Sequence, residues 1–194
     1  TITGTNDDPL LSVTDVTGAV TESVTPAGNL TDSGSLTFTD VDLTDVHLVS
    51  AAGTPVGTTL GSLTAIKDSD TTGTGTGGQL TWTYTVAASA VEYLAKDETR
   101  VEQFTITLDD QNGGVITKTI SVTITGTNDD PLVSVEDVTG AVTESVTPVG
   151  NLTDSGSLTF TDVDLTDVHL VSATGSPVGT TLGSLTAVKD SDTT

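Results

Sequence analysis

The sequence predicts an all-β protein made of tandem antiparallel Greek-key β-sandwiches, and three observations support this fold class. Apolar residues alternate with threonine in several short runs, which is typical of strands that have one buried face. Glycine-rich turn segments separate these runs. A long internal repeat then divides the strands among successive modules.

The repeat sets the predicted domain boundaries. Residues 1–72 recur as residues 123–194, at an offset of 122 and with only six substitutions. We expect residues 1–8 to be a linker from a preceding repeat, 9–127 a complete sandwich and 128–130 a second linker. Residues 131–194 are then the N-terminal part of the next, incomplete repeat. Open strand edges there predict a split domain or strand exchange with another copy.

The predicted strands follow in order along one period. The first runs from Leu10 to about Val24, and Leu36 and Phe38 mark the second. Residues 71–78 (TTGTGTGG) indicate a long, flexible connection, and the Asp-x-Asp pair Asp68 and Asp70 beside it is interpreted as a solvated loop. Residues 89–98 suggest at most one short helical turn, which does not change the fold class.

The strongest alternation lies in the last three strands. Their inward residues are predicted to be Leu80, Trp82, Tyr84 and Val86, then Phe104, Ile106 and Leu108, and then Ile116, Ile120, Val122 and Ile124. Residues 111–114 (QNGG) supply the positive-φ positions that a hairpin between the last two strands requires. These residues are the expected core of the sandwich.

Charge excludes several classes of function. The chain has 27 acidic and 5 basic residues and a formal charge of −22. Nucleic-acid binding needs clustered Lys and Arg, and anionic membrane surfaces repel such a chain. No apolar run approaches the roughly 20 residues of a membrane span, so no direct membrane insertion is expected. Cysteine is absent, and no catalytic constellation is present, so we do not expect an enzyme.

Strand reversals predict where the acidic residues gather. If the first strand runs from the top of the sandwich to its bottom, the second strand and the last hairpin bring their acidic residues to the top. The entering linker lies there too. Because Ca²⁺ takes six to eight oxygen ligands, we predict a calcium site from this group. The candidate ligands are Asn6, Asp7, Asp8, Asp40, Asp42, Asp45, Asp109 and Asp110.

A second predicted calcium site lies at the junction between modules. It combines Glu22, at the bottom of the complete sandwich, with the linker and the first acidic loop of the next copy. The linker and loop ligands are Asn128, Asp129, Asp130, Asp162, Asp164 and Asp167. Any single Asp could instead cap a turn through its neighbouring backbone amides. Many converging carboxylates would repel one another without a cation.

Two other features receive structural interpretations. The glycine run 73–78 is followed by neither Lys-Ser nor Lys-Thr, so we interpret it as a linker and not a phosphate loop. His47 and His169 are one position seen twice, without a second histidine or an activated nucleophile in the period. We expect a structural or surface role for this histidine.

Five ordered blocks, GAVTES, GSLTFTDVDLTDVHLVS, LTWTYTV, LDDQNGG and VTITGTNDD, resemble the VCBS repeat of giant bacterial adhesins. The resemblance covers the whole period, although the TTGTGTGG connection is longer than this family usually carries. It implies a cadherin-like or immunoglobulin-like extender module, commonly of the RTX type, that is calcium-dependent and secreted to the bacterial cell surface. The pattern of Glu22, residues 128–130 and Asp162-x-Asp164 also resembles cadherin junctions, whose ions are shared between modules.

The leading hypothesis is therefore a structural spacer whose partners are neighbouring repeats of the same chain. Calcium would stiffen the linkers and extend a distal ligand-binding domain away from the cell. The alternative is a module that itself binds a carbohydrate or another cell. Exposed aromatic residues near a calcium site would favour that alternative.

Overall fold

The computed structural model describes residues 1–12, 15–50, 52–134, 136–173 and 179–193. The chain divides into two compact units, Thr1–Thr127 and Asn128–Thr194. In the described residues, no helix is long and apolar enough to cross a membrane.

Unit 1 contains nine strands and one 3₁₀ turn, Ala88–Ala90, among its described residues. The strands are β1 (Leu10–Ser12), β2 (Thr17–Thr21), β3 (Asn29–Thr39), β4 (Leu48–Val49), β5 (Thr54–Pro55), β6 (Ser62–Ser69), β7 (Gly78–Ala87), β8 (Thr99–Asp109) and β9 (Val115–Thr125). The short turn after β7 agrees with the single helical turn expected there.

These strands form two sheets. One has the order β1-β3-β7-β6, and the other has the order β2-β9-β8-β4 with β5 also paired to β8. The chain changes sheets between β1 and β2, β2 and β3, β3 and β4, β5 and β6, and β7 and β8. Every described strand pair in unit 1 is antiparallel except β2 with β9, which is parallel. The predicted all-β class of antiparallel sandwich is thereby confirmed.

The first predicted strand was wrong in one respect. It does not run unbroken from Leu10 to Val24, because β1 pairs with β3 in one sheet whereas β2 pairs with β9 in the other. Residues 13 and 14, between the two segments, lie outside the described residues. By changing sheets, this part of the chain covers one edge in each sheet: β1 covers β3 and β2 covers β9. Both edges are thereby protected from pairing with another chain.

The core contains the residues that period-two alternation predicts to face inward in the last three strands. The inward faces of β7, β8 and β9 are buried, with Trp82 and Tyr84 fully enclosed, while Ile116 near the start of β9 is only half-buried. Trp82 passes close to Gly34 on β3, where an added Cβ would lie 2.6 Å from the indole ring. Trp82 Nε1 donates to the Asp15 carbonyl over 2.9 Å, so its one polar atom is satisfied.

The 71–78 connection is ordered, which corrects the expectation of a flexible segment. Thr71 is buried, and two backbone hydrogen bonds tie the connection to the loop after β3: Gly73 N to Leu43 O, and Asp40 N to Gly75 O. Positive φ angles at Gly73, Gly75 and Gly77 allow the tight path that these bonds require. The glycines therefore shape a packed loop and do not loosen it.

Unit 2 has one two-stranded antiparallel ribbon among its described residues, β10 (Leu132–Ser134) with β11 (Thr159–Thr161). Its register, Leu132 opposite Thr161, is that of Leu10 opposite Thr39 in unit 1, displaced by the repeat offset. The two copies therefore pair in the same register, although Val133 stands where β1 has Leu11.

Candidate functional site

Three aspartates from separate parts of unit 1 meet at one end of the sandwich. Asp40 follows β3, Asp45 lies five residues further along the same loop, and Asp110 follows β8. All three are buried, and one carboxylate oxygen of each lies within 4.8 Å of the others. The strand reversals predicted that these residues would meet, and the structure brings them together.

Asp45 carries the atom that most needs a partner. Its side chain is only 5% exposed, and within the described residues its Oδ2 accepts no hydrogen bond. A buried carboxylate oxygen without a donor carries a desolvation penalty, which a bound cation would offset. This orphaned oxygen, beside two other buried carboxylates, makes the end of the sandwich a candidate cation site.

The N-terminal linker is part of this site. Asn6 Nδ2 donates to Asp110 Oδ2 over 2.9 Å, and the backbone N–H of Asp7 donates to Asp42 Oδ2 over 2.7 Å. Asp42 in turn donates its backbone N–H to Asp40 Oδ1 over 2.8 Å. Linker and sandwich therefore share one hydrogen-bond network around the three buried carboxylates.

Asp110 is held ionised by its surroundings. Burial raises its pKa, but donation from the Asn6 amide and from the backbone N–H groups of Asn112 and Gly114 outweighs burial, so the pKa of Asp110 lies below its usual range. An anionic oxygen donor set of this kind suits a hard divalent cation such as Ca²⁺.

The other predicted ligands of this group lie around the three. Asp8 Oδ1 lies beside Gly114 of the β8–β9 hairpin. Asp109 Oδ1 accepts the Gln111 N–H over 2.7 Å, which is the turn-capping role considered for a single Asp. The positive φ angles of Gln111 and Gly113 agree with the hairpin predicted there.

Unit 2 reproduces the linker half of this arrangement. Asp129 N donates to Asp164 Oδ2 over 2.8 Å, as Asp7 N does to Asp42, and Asp164 N donates to Asp162 Oδ1 over 2.9 Å. Asp167 N donates to the Asp164 carbonyl, as Asp45 N does to Asp42. Asn128 Nδ2 donates to Asp129 O, and Asp130 is exposed.

Glu22 directly follows β2 in the chain, and in space it lies beside the C-terminal end of β9. Its Oε2 accepts the N–H of Thr127 over 2.7 Å and the Thr127 hydroxyl, whereas its Oε1 is buried and accepts no hydrogen bond from a described residue. A carboxylate oxygen of Glu92 lies within 4.8 Å of Glu22. The strand patterns missed Glu92, because it lies in the turn after β7. The sharing of ions between Glu22 and residues 128–130 stays a prediction.

A hydrogen-bond cluster of Asp40, His47, Lys67 and Asp70, here called the histidine clamp, supports the three-aspartate site through Asp40. His47 Nε2 lies 3.0 Å from Asp40 Oδ2, and its Nδ1 lies 2.7 Å from Asp70 Oδ1. Lys67 Nζ donates to the His47 carbonyl and to Asp70 Oδ2, both over 2.5 Å. The expected structural role of His47 agrees with this placement. The interpretation of Asp70 as a solvated loop residue was wrong, since Asp70 joins β6 to the Asp40 loop.

Replacing Asp70 by Asn should change the acid stability of unit 1. Burial raises the Asp70 pKa, but hydrogen bonds from Lys67 and His47 outweigh it and lower the pKa to about 2. A lowered carboxyl pKa adds stability that is present above the unfolded pKa and is lost as the pH falls from about 4 to about 2. We therefore expect the difference in unfolding free energy between the native chain and Asp70→Asn to shrink as the pH falls from about 4 to about 2.

Urea unfolding, followed by the fluorescence of the single tryptophan in unit 1, measures this effect at each pH. Asp68→Asn is the matched control, because the exposed Asp68 has only the Thr81 hydroxyl as a described partner. Equal pH dependence for the two variants would contradict the clamp.

The fold and the acidic end of unit 1 define a β-sandwich module with a candidate cation site at its linker. No family model and no curated protein matches the chain. Among solved structures, the N-terminal domain of PorA is similar with a TM-score of 0.36 and 10% identity, covering 63% of this chain and 100% of that one. The CooA pilin subunit from enterotoxigenic Escherichia coli gives 0.39 and 15%, covering 62% and 99%.

Proposed function

We propose that this chain is a structural extender of a large secreted bacterial adhesin, built of sandwiches whose linkers are stiffened by Ca²⁺. In this account the modules bind no target themselves. They set the distance and direction at which a distal ligand-binding domain is presented. Neighbouring repeats of the same chain are the partners, and the bacterial cell surface is the location.

The observation that carries the proposal is the buried group Asp40, Asp45 and Asp110, with the orphaned Asp45 Oδ2 beside the linker. Without a cation, mutual repulsion would loosen this end of the sandwich. A cation held there would strengthen the network in which Asn6 and Asp7 already take part. Cation binding would thereby immobilise the linker on the module that follows it.

The repeat extends this argument to the second linker. Residues 128–130 reproduce residues 6–8, and the Asp129–Asp164 contact reproduces Asp7–Asp42. A device that recurs with every linker suits a spacer, because stiffness is useful only when each joint has it.

Calcium fits the site better than magnesium does. The ligands come from a loop, a hairpin and a linker, and such a set is adaptable in number and distance. Ca²⁺ accepts six to eight oxygens in irregular geometry, whereas Mg²⁺ demands near-octahedral ligands and retains its waters. Ca²⁺ is accordingly the cofactor that we propose.

The alternative, a carbohydrate-binding or cell-binding module, lacks support in unit 1. Four of its five large aromatic residues, Phe38, Trp82, Tyr84 and Phe104, are buried and offer no stacking surface for a sugar. The fifth, Tyr93, is half-buried, packs against the core and accepts a hydrogen bond from Arg100 Nη1. Binding of the native chain on a glycan array, in calcium, would revive this alternative.

Small-angle X-ray scattering with Ca²⁺ and with a chelator tests the stiffening. We expect calcium to narrow the distribution of particle dimensions, because bound ions restrict the motion of residues 128–130. The double variant Asp129→Asn, Asp130→Asn should lose this response. The exposed Asp190→Asn is the matched control and should keep it. Superimposable native profiles with and without calcium would contradict the extender proposal.

A further inference from the structure

The described residues between 131 and 193 repeat several local contacts of their counterparts in unit 1. The β10–β11 register equals the β1–β3 register. The Ala141 N–H donates to Asp154 Oδ2 over 2.7 Å, as the Ala19 N–H does to Asp32 Oδ2 over 2.7 Å. These contacts give residues 132–134, 141, 154 and 159–161 the same local partners that their counterparts have inside the complete sandwich.

The histidine clamp is also present in unit 2. His169 Nε2 lies 2.7 Å from Asp162 Oδ2 and its Nδ1 lies 2.6 Å from Asp192 Oδ1, while Lys189 donates to Asp192. In unit 1 the same clamp joins the end of β3 to the end of β6. In unit 2 the clamp therefore holds the counterparts of β3 and β6 at a defined separation, ready for a strand equivalent to β7 to pair between them.

The apolar face of this half is open. Leu158 is 53% exposed and Leu185 is 79% exposed, whereas their counterparts Leu36 and Leu63 are 0% and 2% exposed. Exposed leucines at positions that are buried in the twin mark an interior surface without its cover.

Unit 1 shows what the cover is. There β7 lies between β3 and β6 and pairs with both, and β9 pairs with β2. The segment that fills the gap is residues 78–125, and its inward face carries Trp82 and Tyr84. It also brings the buried Glu102, whose carboxylate accepts the N–H groups of Leu60 and Gly61, the counterparts of Leu182 and Gly183.

We propose that residues 131–193 are a preorganised acceptor half-sandwich, and that the occupant is a segment with the chemistry of residues 73–127. Its first strand would insert between residues 151–161 and 184–191, in the register that β7 has with β3 and β6. This proposal concerns folding complementarity and is independent of calcium binding.

Stoichiometry argues against a second intact copy as the donor. The donor segment within residues 1–194, residues 73–127, is already engaged with the strands of residues 9–72. Exchange between copies would empty one acceptor for each one filled, so it gains no net apolar burial. A further, unengaged copy of the donor segment is therefore required.

The test adds a polypeptide of residues 73–127 to the full chain and follows amide hydrogen exchange by mass spectrometry. We expect exchange across residues 151–161 and 184–191 to slow at least about tenfold, with a one-to-one complex by native mass spectrometry. Because the inserted segment supplies backbone and Glu102 acceptors, protection within unit 2 should extend from these strands to residues 139–143, 170–171 and 182–183, the counterparts of β2, β4 and the Glu102 donors.

Two variants make the test specific. Leu158→Asp places a charge on the face to be covered and should abolish protection. Val163→Asp should not, because Val163 is 50% exposed and its counterpart Val41 stays 70% exposed in the finished sandwich. Equal behaviour of the two variants would overturn the proposal.

A covalent form removes any dependence on the solubility of the free segment. Residues 73–127 are appended after residue 194, which adds a second tryptophan to the chain. We expect acrylamide to quench that tryptophan as weakly as it quenches the buried Trp82. An exposed second tryptophan, together with unprotected amides at 151–161, would show that the half is not an acceptor.

Discussion

Replacing Asp45 by Asn is expected to stabilise unit 1 in chelator and to remove its stabilisation by calcium. The two effects have opposite signs and one cause. Asp45 adds a third buried negative charge to Asp40 and Asp110, and its Oδ2 has no described donor. Without a cation the Asp45 carboxylate destabilises the fold, and with a cation it is a metal ligand.

The magnitudes follow from simple electrostatics and mass action. Two charges within 4.8 Å repel by a few kcal/mol at an effective dielectric constant of about 20. Relief of part of this repulsion should raise the unfolding free energy of the variant in chelator by about 1 kcal/mol. A ligand that binds only the folded state at about 1,000 times its Kd adds about 4 kcal/mol. The variant should lose most of that gain.

Denaturant unfolding followed by Trp82 fluorescence, with calcium and with chelator, measures both effects in unit 1. Asp109→Asn is the matched control: Asp109 lies beside Asp110 at the β8–β9 hairpin, but its Oδ1 caps a turn at Gln111. The control should keep its calcium response. If Asp45→Asn destabilised the chelated protein and kept the calcium gain, Asp45 would be a structural residue and not a ligand.

Replacing Glu102 by Ala is expected to lower the unfolding free energy of unit 1 by about 3 to 5 kcal/mol. Glu102 is buried in β8 and accepts from Leu60 N over 2.5 Å, Gly61 N over 3.0 Å and the Tyr84 hydroxyl over 2.9 Å. Truncation leaves the buried Tyr84 hydroxyl and the N–H groups of Leu60 and Gly61 without this acceptor. Burial and the neighbouring Glu102 carboxylate also raise the pKa of Tyr84, so the phenol stays a donor.

Urea unfolding in chelator measures this loss independently of calcium. Glu102→Gln retains an acceptor oxygen and should lose less stability than Glu102→Ala. The exposed neighbour Gln103, whose amide donates to the Ser121 hydroxyl, provides the control Gln103→Ala, with an expected change within about 0.5 kcal/mol. A small effect of Glu102→Ala, similar to that control, would contradict the role of the buried network.

The sequence predicted the sandwich because period-two alternation is a local signal. The side chains of Leu80, Trp82, Tyr84 and Val86 are buried as expected, and the hairpin at 111–114 has the required positive φ angles. Counting reversals also placed Asp40, Asp45 and Asp110 at one end, because strand direction alone determines that meeting.

The remaining features depend on contacts between distant residues. The clamp joins His47 directly to Asp70, which are 23 residues apart, and no local pattern indicates that contact. Glu102 lies on the same face of β8 as Phe104 and Ile106, so the alternation indicates its inward position. The identity of its donors, Leu60 and Gly61, could not be predicted in this way. The sheet change between β1 and β2 likewise depends on pairing with β9.

The most direct test of the calcium account is a thermal melt of the native chain across a calcium titration, with magnesium as the control. Trp82 fluorescence reports unit 1 alone, where the three buried aspartates lie. We expect the melting temperature to rise continuously with calcium and to change little with magnesium, because an ion that binds only the folded state stabilises it by mass action. A melting temperature that does not change with calcium would contradict the account, because the carboxylates would then be turn residues without a metal.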